Sequence, residues 1–182
     1  MMNQRKVIVH IATSADGYIA RVDGDLEWLT ARPAPAGFYG MDAFMQSIDT
    51  KVLGRKTYEA SLRMGAKFDS KHRTIVFSRH SRPHNAPPTV EFTDEAVGGF
   101  VDRLRKSPGK DVWLMGGGEI IASFLDAHAV EEFVISVVPI FIGDGIPLIA
   151  RRQLHVQLSL RSTERFEDGL VQLRYAVQGT VY

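Results

Sequence analysis

Five short apolar runs recur along the chain, at positions 7–12, 51–54, 74–78, 111–115 and 132–138. Each run is bounded by polar residues or glycine and shows little polar alternation. Short continuous runs of this kind are typical of strands that are covered on both faces of a sheet. The pattern therefore predicts five buried strands.

Between these runs the apolar residues follow a helical spacing. Positions 41, 44, 45 and 48 form one apolar stripe, positions 96, 97, 100, 101 and 104 a second, and positions 120, 121, 124 and 125 a third. Residues three and four apart share one face of a helix, so each stripe predicts an amphipathic helix. Alternating strands and helices indicate an α/β fold with a mainly parallel sheet and helices on both faces.

The apolar period changes to two near the C-terminus. Leu154, Val156, Leu158 and Leu160 alternate with polar residues, and Asp168-Gly169 is a hairpin signal before the run at 170–177. The sheet is therefore expected to end in antiparallel strands. The segments 31–40 and 79–88 are rich in proline and predict loops. We expect residues 1–182 to form a single domain.

Composition excludes several classes of protein. The 22 Lys and Arg residues nearly balance the 21 Asp and Glu residues, so no overall charge favours nucleic acid or an anionic membrane. No apolar run approaches the roughly 20 residues of a membrane span. The absence of cysteine rules out disulfides and thiolate metal sites, and it fits a cytoplasmic protein.

Two strand-to-helix junctions suggest a phosphate site. At 51–59 and again at 113–121, a short strand runs through glycine into a helix start. The first backbone N–H groups of a helix have no intrahelical partner and carry a partial positive charge. Two such junctions in one small domain indicate a phosphate-bearing ligand that spans both, and Arg55 and Lys56 add cations to the first.

The order of motifs along the chain carries a family resemblance. The motifs are Asp16-Gly17-Tyr18-Ile19-Ala20, Trp28, Gly54-Arg55-Lys56-Thr57-Tyr58-Glu59, Phe77-Ser78-Arg79, Gly116-Gly117-Gly118 and the segment from Val138 to Gly145. In this order the chain resembles the dihydrofolate reductase superfamily, in particular the branch related to the reductase domain of riboflavin biosynthesis, the RibD C-terminal domain. The resemblance implies a three-layer fold with a mixed, mostly parallel sheet.

The resemblance also implies a cofactor and its contacts. The cofactor would be NADPH, with hydride transfer to a pterin-like or ribosylaminopyrimidine-like small molecule. The residues implied at the cofactor are Ala12 and Ile19 at the nicotinamide end, Gly54, Arg55, Lys56 and Thr57 at the adenosine phosphates, Ser78 and Arg79 along the adenosine, and Gly116, Gly117, Gly118 and Glu119 near the pyrophosphate. It further implies a cis Gly116–Gly117 bond and a homodimer.

One departure concerns the substrate side. In folate reducers of the superfamily a carboxylate closely follows the loop tryptophan, whereas Trp28 is followed by Leu29 and the next carboxylate is Asp42. Hydride transfer to C=N or C=O requires a proton. We therefore predict Asp42 as the catalytic acid, with Glu27 and Tyr39 as weaker candidates. The alternative is that Asp42 only stabilises its helix, as an acidic residue in the first turn does by interacting with the helix dipole.

Several other residues admit two interpretations. Trp28 and Tyr39 are predicted either to line the binding site of a planar substrate or to pack as anchors in the core. His10 fits a core histidine better than a catalytic one. His80 and His84 are spaced like metal ligands, but no further ligands converge on them, so no metal site is predicted.

The missing carboxylate after Trp28 also leaves open a second function, a non-catalytic or regulatory module that keeps the nucleotide cleft.

Overall fold

The computed structural model describes residues 4–32, 35–68 and 70–178. The elements in these ranges alternate as strands and helices along the chain. They are β1 (Val7–Ser14), β2 (Tyr18–Ala20), α1 (Glu27–Thr30), a 3-10 helix (Phe38–Gly40), α2 (Met41–Ser47), β3 (Ile48–Gly54), α3 (Arg55–Arg63), β4 (Arg73–Phe77), β5 (Val90–Thr93), α4 (Val97–Lys106), β6 (Asp111–Gly116), α5 (Gly118–Asp126), β7 (Glu132–Val138), β8 (Ile146–Pro147), β9 (Leu158–Arg165) and β10 (Val171–Val177).

Eight strands form one sheet in the order β5-β4-β3-β6-β1-β7-β10-β9, and β2 pairs with β8 separately. The pairings from β5 to β7 are parallel, whereas β10 runs antiparallel to both β7 and β9. Parallel strands end at the same edge of a sheet, so the carboxyl ends of β1, β3 and β6 lie side by side. The predicted mixed sheet with C-terminal antiparallel strands is confirmed.

Helices cover both faces of the sheet. On one face, Phe100 of α4 and Phe124 of α5 pack in a cluster with sheet residues such as Val9 and Leu114. On the other face, Phe44 of α2 packs with Ile8, and the side chain of Tyr58 in α3 is buried in a further cluster on the sheet. Each fully buried apolar side chain contributes about 1.5–3 kcal/mol. The two layers of helices therefore fix the sheet between them.

The five predicted strands are present, but some boundaries differ. The apolar stripe of the first predicted helix included Ile48, whereas α2 ends at Ser47 and Ile48 is the first residue of β3. Ile48 has an extended backbone yet still packs in the same cluster as Phe44. Ile48 therefore fitted the spacing of the helical stripe because its side chain packs with that of Phe44, although its backbone belongs to β3.

Other elements were absent from the sequence prediction. Strands β2, β5 and β8 have two to four residues and are too short to show a period. The segment 38–40 of the predicted loop 31–40 forms a 3-10 helix, and residues 33–34 of that loop lie outside the described ranges. Leu154 and Val156 precede β9 and pack against the core. Within the described ranges, no helix combines the length and apolar character needed to cross a membrane.

Candidate functional site

The two predicted phosphate junctions meet at the carboxyl edge of the sheet. A Cβ placed on Gly117 would lie 3.3 Å from Thr57 Oγ1 and 3.6 Å from Ile19 Cδ1. A Cβ on Gly54 would lie 3.9 Å from the Gly116 carbonyl oxygen. The structure thus brings together the start of α3, the start of α5 and the strand β2.

Both helix starts leave their backbone donors available. The residues that precede α3 and α5 are Gly54 and Gly117, and neither helix start has a side-chain cap. The first N–H groups of these helices therefore rely on a ligand or water for hydrogen bonds. The Gly116–Gly117 bond is cis, as the resemblance implied. The close approach at Gly117 and the donor on Thr57 fit a phosphate-bearing cofactor such as NADPH.

Gly118 has a different neighbourhood from Gly117. A Cβ on Gly118 would lie 2.6 Å from the carbonyl oxygen of Pro147, and its own carbonyl accepts a hydrogen bond of 3.2 Å from the Ala150 N–H. Gly118 is therefore required for the close packing of the segment after β8. This packing is a structural reason for the third glycine that the sequence analysis did not foresee.

Arg55 is held by several contacts. Its Nε donates to Glu59 Oε1 at 2.6 Å, and its Nη1 lies 3.3 Å from Ser78 Oγ and 3.0 Å from the Ser81 carbonyl oxygen. The guanidinium also lies over the ring of Phe92, 5.8 Å from its centroid. Arg55 and Ser78 are thus neighbours, and the second guanidinium nitrogen Nη2 has no hydrogen-bond partner among the described residues.

The remaining predicted cofactor residues are more exposed. Lys56 and Arg79 are exposed and make no ion pair within the described ranges. The side chain of Glu119 is 83% exposed and pairs with Arg152 at 3.2 Å. Arg152 Nε also lies 3.5 Å from Oδ2 of Asp126, which is on the same helix as Glu119. Glu119 therefore faces a cation from the segment after β8.

Ala12, Trp28 and Tyr39 are brought into one apolar cluster. Trp28 is 8% exposed and packs with Val138 and Leu170, and both Ala12 and Tyr39 join the same cluster. The ring of Tyr39 meets the ring of Phe166 edge-on, with centroids 5.0 Å apart. The indole Nε1 of Trp28 is buried without a hydrogen-bond partner among the described residues. The predicted substrate residues are therefore assembled beside β1.

A carboxylate that sequence reasoning missed stands next to this cluster. Asp168 Oδ2 accepts hydrogen bonds from Tyr39 Oη at 2.5 Å and from Arg32 Nη2 at 2.7 Å. We call Arg32, Tyr39 and Asp168 the Asp168 clasp. The bonds from Tyr39 and Arg32 lower the pKa of Asp168 to about 2. Burial and the nearby Asp168 raise the pKa of Tyr39. The sequence marked Asp168 only as a turn residue.

The predicted acid Asp42 stands apart from the clasp. It lies in the first turn of α2, its residue is exposed, and it makes no hydrogen bond or ion pair with any described residue. Phe44 of the same helix faces the sheet. This placement agrees with the first-turn interpretation and leaves the proton-donor role a prediction.

His10 lies in the core of the protein, on β1 and beside Phe44 of α2. It is 6% exposed, and its ring meets Phe44 edge-on at 4.5 Å. Burial, with a smaller contribution from Arg174, lowers the pKa of His10 to about 4. The carbonyl of His10 accepts a hydrogen bond from Trp113 Nε1 at 2.9 Å. The imidazole is therefore neutral at pH 7.

Glu27, the other acid considered, borders an open groove. The groove has a volume of about 460 Å³ and lies between the loop after β2 and the end of α3. Asp23 and Asp25 of the loop, Glu27 of α1 and Arg63 of α3 are among the residues that line it. No cluster of three or more potential metal-ligating side chains is found in the described part of the chain.

Two polar residues on the sheet were also missed by sequence reasoning. Ser136 of β7 lies opposite Ala12 of β1, and Gln172 of β10 lies opposite Ser136. Gln172 Nε2 is 3.1 Å from Ser136 Oγ and 3.2 Å from the carbonyl oxygen of Tyr39. The signal in the sequence was a serine inside the apolar run at 132–138, which the strand prediction passed over.

Comparisons with known proteins agree with this architecture. The model of the RibD C-terminal domain family matches residues 5–172. The uncharacterised protein YwjB of Bacillus subtilis is 34% identical over 172 residues, which cover 94% of this chain and 98% of YwjB. A solved structure from Shewanella sp. PV-4, provisionally assigned to riboflavin biosynthesis, is 27% identical with a TM-score of 0.79. The match covers 95% of this chain and 99% of that one.

A more distant structure shows the wider fold. Dihydrofolate reductase from Enterococcus faecalis, solved with NADP(H), has a TM-score of 0.65 and 18% identity, and the match covers 97% of each chain. At this identity the similarity shows the fold alone, which is the dihydrofolate reductase-like α/β fold. Since the family model spans most of the chain, the protein belongs to the RibD C-terminal domain family.

Proposed function

We propose that this protein is an NADPH-dependent reductase that transfers a hydride to a pterin-like or ribosylaminopyrimidine-like small molecule. The observation that carries the proposal is the meeting of two uncapped helix starts, where Thr57 Oγ1 and the side chain of Ile19 both lie beside Gly117. Backbone donors from two helices and a hydroxyl at one point favour a phosphate-bearing cofactor.

The chain's own residues would hold this cofactor. Gly54, Thr57 and Gly117 would bind its phosphates through backbone N–H groups and a hydroxyl, and Arg55 would offer its Nη2 to the 2′-phosphate of the adenosine. Ala12 and Ile19 would border the nicotinamide, and bound NADPH would supply the hydride. The relatives support this, since the similar dihydrofolate reductase is described with NADP(H).

The substrate would lie against the cluster of Trp28 and Tyr39. An aromatic wall beside the nicotinamide orients a planar ring for hydride transfer and excludes water from it. The proton would come from Asp42 or from water that Asp42 orders. The partners would be small molecules, and we propose a cytoplasmic homodimer.

A two-stage experiment tests the function. NADPH binding is first measured by calorimetry, and NADPH oxidation is then followed aerobically at 340 nm with a panel of pterins and ribosylaminopyrimidines. We expect binding together with substrate-dependent oxidation. A protein that binds NADPH and oxidises it with none of these compounds would favour the alternative, a regulatory nucleotide-binding module. A protein that does not bind NADPH would reject both.

A further inference from the structure

We propose that Ser136 and Gln172 form a recognition pair for a lactam edge, the adjacent N–H and C=O groups of a heterocyclic substrate. The inference rests on the proposed function, because it concerns the substrate side of the same cleft. Neither residue was predicted from the sequence, and both are defined by contacts between separate strands.

The pair lies beside the expected position of the nicotinamide. Ala12, Ser136 and Gln172 are register partners on the neighbouring strands β1, β7 and β10. Partners in register point to the same face, and adjacent strands are about 4.8 Å apart. Ser136 is therefore one strand from Ala12 and Gln172 is two. The hydrogen bond from Gln172 to the Tyr39 carbonyl places the pair on the face that carries Tyr39.

The orientation of the Gln172 amide follows from its neighbours. The backbone carbonyl of Tyr39 can only accept a hydrogen bond, so the amide nitrogen of Gln172 must face it. The same nitrogen also lies 3.1 Å from Ser136 Oγ. Both amide protons are therefore used, and Oε1 is left as an acceptor without a partner among the described residues.

The hydroxyl of Ser136 has a complementary free group. Its oxygen accepts a proton from Gln172, so its own proton remains to be donated. Ser136 is only 7% exposed, and no acceptor for this proton is found in the described ranges. A buried polar group without a partner costs free energy, and such groups in folded proteins normally find one.

One free donor and one free acceptor therefore stand side by side. Because Gln172 Nε2 bonds to Ser136 Oγ, the free Oε1 lies within roughly 5 Å of that hydroxyl. The C=O of a lactam would accept from Ser136 and its N–H would donate to Gln172. A phosphate or carboxylate offers only acceptors and leaves Oε1 unpaired. A neutral amide also lacks the charge that would attract a protonated amidine ring, so the pair favours a neutral lactam.

The test compares two small probes of similar size. The first, 5,6-diaminouracil, carries lactam edges, and the second, 2,4,5,6-tetraaminopyrimidine, carries none. Their binding to the full chain is measured by calorimetry in the presence of NADPH, and 2′,5′-ADP reports on the cofactor side alone. We expect the wild-type protein to bind the lactam probe more tightly.

The decisive variant is Ser136→Ala. We expect it to weaken the binding of 5,6-diaminouracil about tenfold and to leave the affinities for tetraaminopyrimidine and 2′,5′-ADP unchanged. Ser136→Thr keeps the hydroxyl and should retain the preference. The matched control is Ser162→Ala on β9, where the serine is exposed and stands opposite Arg174. It should change none of the three affinities.

Gln172→Met removes the acceptor with little change of shape and gives the same test if Ser136→Ala does not fold. Equal binding of both probes by the wild type, or a Ser136→Ala or Gln172→Met variant that keeps the lactam preference, would overturn the pair. These results are separable from failure of the proposed function, which would appear as lost binding of NADPH or absent turnover in the wild-type protein. A wild type that binds NADPH but no lactam probe would also reject the pair.

Discussion

At the scale of single residues, Arg55 lies at a position that the helix dipole disfavours, and several neighbouring side chains hold it there. A cation in the first turn of a helix is disfavoured by the helix dipole. Glu59, Ser78 and the ring of Phe92 nevertheless hold its guanidinium in place. A side chain that is already oriented loses little entropy when it binds an anion. The environment of Arg55 is therefore suited to recognition of a 2′-phosphate.

Arg55→Ala should weaken NADPH binding by about 1.5–3 kcal/mol, the scale of a charge-assisted hydrogen bond, and leave NADH nearly unchanged. Calorimetry with both cofactors measures the difference. Arg103→Ala is the matched control, because Arg103 also pairs with a glutamate and lies over a phenylalanine ring, on α4. Equal losses for NADPH and NADH would contradict the role of Arg55.

Asp42→Asn tests the proton donor. If Asp42 supplies or orders the proton, the variant should lower kcat by about 10² or more with unchanged NADPH affinity. The exposed Asp102 of α4 provides a control, Asp102→Asn, that should leave kcat unaltered. A variant with normal kcat and reduced thermal stability would identify Asp42 as a helix-start residue. The proton would then come from water, Glu27 or Tyr39.

At the scale of elements, the Asp168 clasp joins two segments that are distant in the chain. Arg32 and Tyr39 come from the region between α1 and α2, and Asp168 comes from the turn between β9 and β10. Gln172 adds a bond to the backbone of Tyr39. These bonds hold the 3-10 helix at 38–40 against the antiparallel part of the sheet, beside the cluster of Trp28.

Asp168→Asn should loosen this connection while the rest of the fold remains intact. The backbone amides at 36–40 should exchange with solvent roughly tenfold faster, because a charge-assisted bond from each of two neighbours is weakened. Hydrogen exchange followed by mass spectrometry measures this. Glu167→Gln, in the same turn and without a hydrogen bond among the described residues, should leave exchange at 36–40 unchanged. Unaltered exchange in Asp168→Asn would show that packing alone holds the segment.

At the scale of the whole molecule, an exposed strand edge and a buried histidine each affect the behaviour of the entire protein. The outer strand β9 carries Leu158 and Leu160, which are 39% and 54% exposed and pair with Val177 and Tyr175. The core of the sheet contains the neutral His10. The first feature concerns association of two copies, and the second concerns the pH dependence of unfolding.

We expect a homodimer that involves β9, since an exposed edge with apolar side chains favours pairing. Light scattering at micromolar concentration should give twice the chain mass of 20.3 kDa. Replacement of Leu158 and Leu160 by glutamate should give the monomer mass, while Val22→Glu, at another exposed apolar residue, should leave the dimer intact. A monomeric wild type would contradict the prediction.

The stability of the fold should decrease as the pH falls from about 6.5 to about 4. The pKa of His10 is lowered to about 4 in the folded protein, whereas an unfolded histidine titrates near 6.5. The unfolded chain therefore binds the proton first, and acid favours unfolding by up to about 3 kcal/mol. His10→Leu should remove this component from urea unfolding curves, and His155→Leu, at an exposed position, should not. A slope that survives in His10→Leu would assign it to other groups.

The sequence by itself determined the periodic elements and the glycine junctions. Buried strands and amphipathic helices leave a repeating pattern because one face of each must be apolar, and the order of motifs identified the family before any contact was known. The resemblance also implied the cis Gly116–Gly117 bond, and the two glycine junctions predicted a ligand that spans the starts of α3 and α5, which lie close together at Thr57 and Gly117. These features are local, or they recur in a fixed order along the chain.

Only the tertiary structure decided which distant residues meet. Tyr39 and Asp168 are 129 residues apart, and Ser136 and Gln172 are 36 apart, so no local period relates them. The short strands β2, β5 and β8 likewise depend on pairing between separate segments, since β5 pairs with β4 and β2 pairs with β8. Long-range hydrogen bonds arise from the register between strands. The sequence therefore indicated the proposed cofactor side of the cleft, and the folded sheet determined the polar groups on its proposed substrate side.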